Sequence, residues 1–227
     1  MKVISNSMNN STLHKLWPLL KEQMRSLELP WLENMANKSL SRDPFKVLIS
    51  CILSLRTQDK TTGIASEKMF SLAPDVKTMS KLPVKIIENA IYPVGFYKTK
   101  AERIKDICNV LIEKYNSSVP DDIDELLKLK GVGRKTANLV VTLGYGKSGI
   151  CVDTHVHRIT NRWGFVKTKT PEKTEFALRE KLPEKYWLEI NGMLVAFGQG
   201  ICRPISPLCS RCGINRYCEK RGVTVHR

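Results

Sequence analysis

The sequence predicts an all-α fold, and three observations predict it. Apolar residues recur three and four apart with few alternating runs. Gly and Pro separate the periodic stretches into segments of about ten to fifteen residues. Acidic residues or proline stand where helices would begin. The chain has 227 residues, enough for one large or two small domains, and no repeat or low-complexity tract interrupts it. Its 37 Lys and Arg against 22 Asp and Glu give a net charge of +15. A surplus of that size favours a polyanionic partner, most simply nucleic acid, because each neutralised phosphate releases condensed counterions. The most apolar stretch, Phe45 to Leu55, is broken by Lys46, Ser50 and Ser54 and is too short for a membrane span. MKVISNSMNNSTLHK at the start has no apolar core and no Arg, so neither a signal peptide nor a transit peptide is expected. The expectation is an intracellular, cytoplasmic monomer, nucleoid-associated if the source is prokaryotic, with no membrane partner.

Segment 44–55 opens with Pro44 after Asp43, an N-cap followed by proline at the first helical position. Asp121 and Asp122 precede IDELLKL, which puts acidic groups in a first turn where the helix dipole favours them. Thr136 to Gly146, TANLVVTLGYG, is apolar almost all round and ends in Gly, so it reads as a buried helix despite Val140, Val141 and Thr142. Before it stands LKGVGRK. A Gly131-Val132-Gly133 turn between two helices lets backbone N–H groups approach an anion without obstruction by Cβ, at a helix N-terminus. The dinucleotide fingerprint is excluded because position 136 is Thr and no strand precedes; a phosphate-binding loop ending in Gly146-Lys147-Ser148 is excluded because position 141 is Val. A helix–GVG–helix element suits a nucleic-acid backbone, gripping a phosphate without reading sequence. An ordinary helical corner reads the same way.

Of seven cysteines, Cys202, Cys209, Cys212 and Cys218 form C-x6-C-x2-C-x5-C. An odd total and a tight terminal cluster argue for metal ligation over disulfides. A 4Fe–4S cluster or a structural zinc would suit four converging thiolates, and a single C-x2-C knuckle leans toward iron–sulfur. Cys51, Cys108 and Cys151 read as small buried hydrophobes. Residues 202–227 carry six Lys and Arg against Glu219, one third of the charge surplus, which makes this end a candidate docking surface. His155 and His157 have a ligand-like spacing without acidic neighbours, and structural roles fit them better.

Taken together, the hairpin with RKTA after it, VDTHVHR at 152–158 and the cysteine cluster resemble the endonuclease III family of DNA glycosylases. The likeness extends through PFKVLISCILSLRTQDK at 44–60 and YPVGFYKTKAERI at 92–104, nearly the whole chain. It implies two helical domains flanking a DNA-binding cleft: a six-helix barrel with the helix–hairpin–helix at 37–147, and an iron–sulfur domain from 1–36 and 148–227. It implies a 4Fe–4S cofactor on Cys202, Cys209, Cys212 and Cys218, and double-stranded DNA with a damaged base or abasic site as partner. Lys135 matches the catalytic lysine, whose amine attacks the sugar C1′, displaces the base and stays joined as a Schiff base that permits β-elimination. Attack needs the neutral amine, which at an ordinary lysine pKa costs roughly 4 kcal/mol near neutral pH, so the site is expected to depress that pKa. Asp153 matches the catalytic aspartate, a carboxylate that stabilises oxocarbenium-like charge; it also reads as the N-cap of a helix from Thr154. Phe96 is expected as an apolar wedge, and Arg56 as the polar residue filling the vacated space, where well-known bacterial members carry Gln. Lys130 stands where the family usually has Pro. Lys130, Gly131, Val132, Gly133, Arg134, Arg203, Arg211 and Arg216 are the other expected DNA contacts. The activity implied is a bifunctional glycosylase/AP lyase on oxidised pyrimidines. An adenine- or mismatch-specific glycosylase, an iron–sulfur DNA-binding protein without enzyme activity and a ferredoxin-like carrier are the rivals; Lys135 disfavours the first and the basic charge the last.

Overall fold

The computed structural model describes residues 8–27, 31 and 42–227, which contain helices and no strand. Residues 1–7 and the expected domain boundary at 37 lie outside the described residues. Two compact units make up the chain, one of 31–149 and one of 1–30 with 150–227.

Helix α1 (Asn10–Met24) belongs to the second unit; Asn9 caps it by accepting the Thr12 N–H at 3.0 Å. The 31–149 unit then runs α2 (Pro44–Ser54), α3 (Asp59–Leu72), α4 (Val76–Lys81), α5 (Val84–Ile91), α6 (Tyr97–Tyr115), α7 (Ile123–Leu127) and α8 (Arg134–Leu139). The helix starts follow the local chemistry. Asp43 accepts the Lys46 N–H at 3.1 Å with Pro44 in the first turn, and Asp122 accepts the N–H groups of Asp124 and Glu125. Phe45, Val47, Leu48, Ile49, Ile52 and Leu53 of α2 are all buried, so α2 is the spine of this unit, with α3, α6 and α8 packed around it. At roughly 1.5–3 kcal/mol for each large apolar side chain fully buried, that spine contributes substantially to the unit's cohesion.

Segment 136–146 differs from the single helix expected. α8 ends at Leu139 and the chain continues as a π-helical turn, Val140–Gly144. Thr142 Oγ1 donates to the Asn138 and Leu139 carbonyls at 2.8 and 3.3 Å, competing with the backbone for those acceptors and loosening the ladder. The turn also packs against α2 so closely that a Cβ on Gly144 would lie 2.9 Å from Pro44 Cα. Cys51, Cys108 and Cys151 are buried, and burial pushes the Cys108 thiol up to about 12.

In the other unit, α9 (Thr154–Trp163), α10 (Pro171–Lys181) and α11 (Trp187–Gly200) enclose a core with α1. Trp17 of α1 lies 4.2 Å from the Tyr186 ring and donates its indole N–H to Glu189 at 3.2 Å, fastening the N-terminal helix to α11. Beyond α11 the chain has only short 3₁₀ turns, and side chains from the helices hold it. Arg158 donates to the Cys202 carbonyl at 2.9 Å; Arg162, itself buried, donates to the carbonyls of Arg203 and Pro204 at 2.7 and 2.6 Å. Gln23 reaches over from α1 to bond the Arg211 carbonyl and the Gly213 N–H.

Candidate active site

The hairpin residues occupy the loop between α7 and α8. Gly131 has φ +85°, a left-handed conformation that Gly adopts without the Cβ penalty, and the Arg103 side chain of α6 lies where its Cβ would be. Val132 is buried and its N–H donates to the Leu129 carbonyl at 3.0 Å, closing the turn. Gly133 is the N-cap of α8, with open space where a Cβ would stand. Arg134 and Lys135 therefore occupy the first two positions of the helix, Lys135 exposed and Arg134 half-buried. Lys130 is exposed and 3.5 Å from the Asp106 carboxylate, a contact between two solvated groups that is worth little.

Asp153 belongs to the other unit. Its Oδ1 accepts the His155 and Val156 N–H groups at 2.9 Å each, so it caps α9, and the rigid helix fixes where the carboxylate stands. His157 bonds the Thr174 hydroxyl at 2.7 Å, and burial lowers its pKa.

Arg56 and Phe96 come together although forty residues separate them. Both are exposed and both have left-handed backbones, φ 53° and 58°, and the Arg56 guanidinium lies 5.6 Å from the Phe96 ring centroid. Tyr92 and Tyr97 form an edge-on pair, 5.3 Å apart, in the same loop region. Beneath these residues is one the sequence reading missed. Lys100, 3 % exposed, sends its ammonium to the carbonyls of Leu53 and Leu55 and to Thr57 Oγ1. Burial, with Arg103 adding repulsion, pushes its pKa down to about 8. A signal for it was in the sequence: Lys100 stands in register with the buried Ile104, Ile107 and Leu111, a lysine in an apolar stripe.

Cys202, Cys209, Cys212 and Cys218 all line one cavity, with Trp163, Phe197 and Ile201 among the apolar walls. Among the described residues no group of three or more His, Cys, Asp or Glu is drawn together to hold a metal ion. The four thiols surround a space instead of converging on a point. Donors face the sulfurs: the Lys220 N–H lies 3.4 Å from Cys218 Sγ, and Arg162 Nη1 3.5 Å from Cys202 Sγ. Burial, reinforced by the neighbouring cysteines, pushes the Cys212 and Cys218 thiols up to about 11. Arg203, Arg211 and Arg216 on this segment are exposed, Arg216 against the Tyr217 ring.

Residues 49–184 match the HhH-GPD superfamily of base excision DNA repair proteins. Endonuclease III of Thermotoga maritima is 51 % identical over 78 % of this chain and 83 % of its own length. The chain belongs to the endonuclease III family. Its endonuclease III relatives include longer proteins: Arabidopsis thaliana endonuclease III homolog 1 is 39 % identical, and the match spans 56 % of that protein. A solved endonuclease III, trapped as a covalent intermediate with DNA in an estranged-adenine complex, superposes with TM-score 0.81 at 30 % identity, covering 94 % of this chain and 97 % of that one. Endonuclease III enzymes are DNA glycosylases with AP lyase activity, and this chain is a base excision repair enzyme of that class. No helix among the described residues is long and apolar enough to cross a membrane.

Proposed function

We propose that the chain excises oxidised pyrimidines from duplex DNA with Lys135 as nucleophile, then cleaves the strand 3′ to the abasic site. The observation that carries this reading is the position of Lys135, exposed in the first turn of α8 directly after the Gly131–Gly133 hairpin. The neutral amine attacks C1′ as the C1′–N bond breaks, and the base leaves with a proton. Loss of the ring oxygen bond gives the iminium, which acidifies C2′; removal of that proton expels the 3′ phosphate. Asp153, held as a helix cap, supplies negative charge for the oxocarbenium-like transition state. Gly133, with nothing over its α-carbon, lets a phosphate approach the hairpin backbone. Phe96 and Arg56 fill the space an extruded nucleotide leaves.

Cys202, Cys209, Cys212 and Cys218 suit a 4Fe–4S cluster. Four half-buried thiols around one cavity could not all ionise without a cation among them, and donors already face two of the sulfurs. Bound there, the iron of such a cluster would be held by Cys202, Cys209, Cys212 and Cys218 as thiolates, and would tie together the segment bearing Arg203, Arg211 and Arg216.

Borohydride reduction in the presence of abasic duplex DNA tests the chemistry. The native enzyme should give a covalent protein–DNA species, and Lys135→Ala none; trapping by Lys135→Ala would remove Lys135 as nucleophile. Anaerobically purified protein should be brown, with absorption at about 400 nm, and Cys212→Ser should be pale. A colourless native protein holding stoichiometric zinc would overturn the cluster assignment.

A further inference from the structure

The loops that carry Arg56 and Phe96 are joined at a single hydroxyl. Thr57 Oγ1 accepts the Gly95 N–H at 3.2 Å and a Lys100 ammonium hydrogen at 3.1 Å, and itself donates to the Leu55 carbonyl at 3.3 Å. The same ammonium bonds the Leu53 and Leu55 carbonyls at 2.8 and 2.6 Å, groups at the end of α2 that the helix itself leaves unsatisfied. The two backbones also touch: a Cβ on Gly95 would stand 2.6 Å from the Arg56 carbonyl oxygen, so only Gly permits this approach. Just beyond each side of the junction is a non-glycine residue in a left-handed conformation, Arg56 and Phe96, their side chains stacked on each other. Such conformations persist where the surroundings over-determine them. A buried ammonium is a costly way to finish a helix, and water or a glycine cap would satisfy the same carbonyls. What the ammonium adds is a link from α6 to the Arg56 loop and, through the Thr57 hydroxyl, to Gly95 beside Phe96.

We propose that Lys100 and Thr57 are positioning residues that hold Arg56 and Phe96 as one stacked wedge, set before DNA arrives. This rests on the reading that Arg56 and Phe96 fill the space of an extruded nucleotide. Entry into a base stack is opposed by the entropy of ordering two long side chains and two loops, and fixing them in the free protein removes that cost from the step in which the nucleotide leaves the helix.

The test compares lyase activity on one abasic strand, in duplex and alone, because the single strand has no partner base and no stack to fill. Thr57→Val keeps the side-chain shape and removes the junction. It should lower kcat on the duplex by about tenfold while single-strand activity stays within about twofold, with the melting temperature lowered by no more than about a few degrees because the Lys100 ammonium keeps its two carbonyl partners. Thr57→Ser should restore the duplex rate. Lys100→Met should show the same selectivity if it folds. Equal losses on both substrates, or a loss that serine does not restore, would overturn the proposal. Arg56→Ala and Phe96→Ala serve as reference. If they lose duplex activity selectively and Thr57→Val does not, the positioning role is wrong and the wedge stands. If none of the three is selective, the wedge reading falls and the positioning role with it.

Discussion

Among single residues, His157 offers a clean reading of burial through pH. It lies on α9 with the Thr174 hydroxyl at 2.7 Å and the Asn161 amide near the same ring nitrogen, and burial holds its pKa below the ordinary 6.5. In the unfolded chain the imidazole regains its usual value. As pH falls below 6.5 the unfolded state therefore takes up a proton before the folded state does, and stability is lost in that window. Above 6.5 both states are neutral and the contribution is constant. The urea midpoint should drop between pH 7 and pH 5 more steeply for the native protein than for His157→Gln. Equal slopes would mean that this histidine titrates normally in the folded chain.

Elements show where the sequence was legible and where it was not. The starts of α2 and α7 could be read from Asp43-Pro44 and Asp122 because capping is local: donor and acceptor are two or three residues apart. The cysteine cluster was readable for the same reason, four thiols within seventeen residues. The roles proposed for Lys135 and Asp153 rest on a motif set, since an exposed lysine and an N-capping aspartate are common in any helical protein. The π-helical turn after α8 was not readable. It depends on the Thr142 hydroxyl and on Pro44 lying against Gly144, contacts that exist only once α2 is in place. The Lys100 junction was hidden in the same way, its acceptors being 43 to 47 residues away along the chain. The hairpin makes a prediction at this scale, because its two glycines are needed for different reasons. Gly131→Ala would strain a left-handed backbone and drive Cβ into the Arg103 side chain, so it should destabilise the fold by about 1–2 kcal/mol. Gly133, φ −101°, has open space at its Cβ, so Gly133→Ala meets no clash and no left-handed strain and should cost about 1 kcal/mol or less, the preference of an N-cap for Gly over Ala. It should nevertheless weaken binding to abasic duplex about tenfold, because the methyl stands where a phosphate approaches. Thermal melts and binding titrations on the same two variants separate the roles. A Gly133→Ala protein that binds normally would place the phosphate elsewhere.

For the molecule as a whole, the +15 surplus has to be connected to two units that share one chain. Lys130, Arg134 and Arg56 belong to the 31–149 unit; Arg203, Arg211 and Arg216 belong to the other. If both sets engage one duplex, each lost phosphate contact should lower the slope of log K against log salt by about 0.9. Arg203→Gln, an exposed side chain on the cysteine segment, should therefore bind more weakly and less steeply with salt, with an unchanged melting temperature. Arg134→Gln should do the same from the hairpin side. The double variant decides between one duplex and two: contacts to the same DNA add, giving a slope lower by about 1.8 than that of the native protein. Were the units to bind separate duplexes, the tighter of the two would set the measured slope, and the second substitution would add nothing to it. A variant that loses affinity with no change of slope would show that its arginine supports the fold of its loop and touches no phosphate.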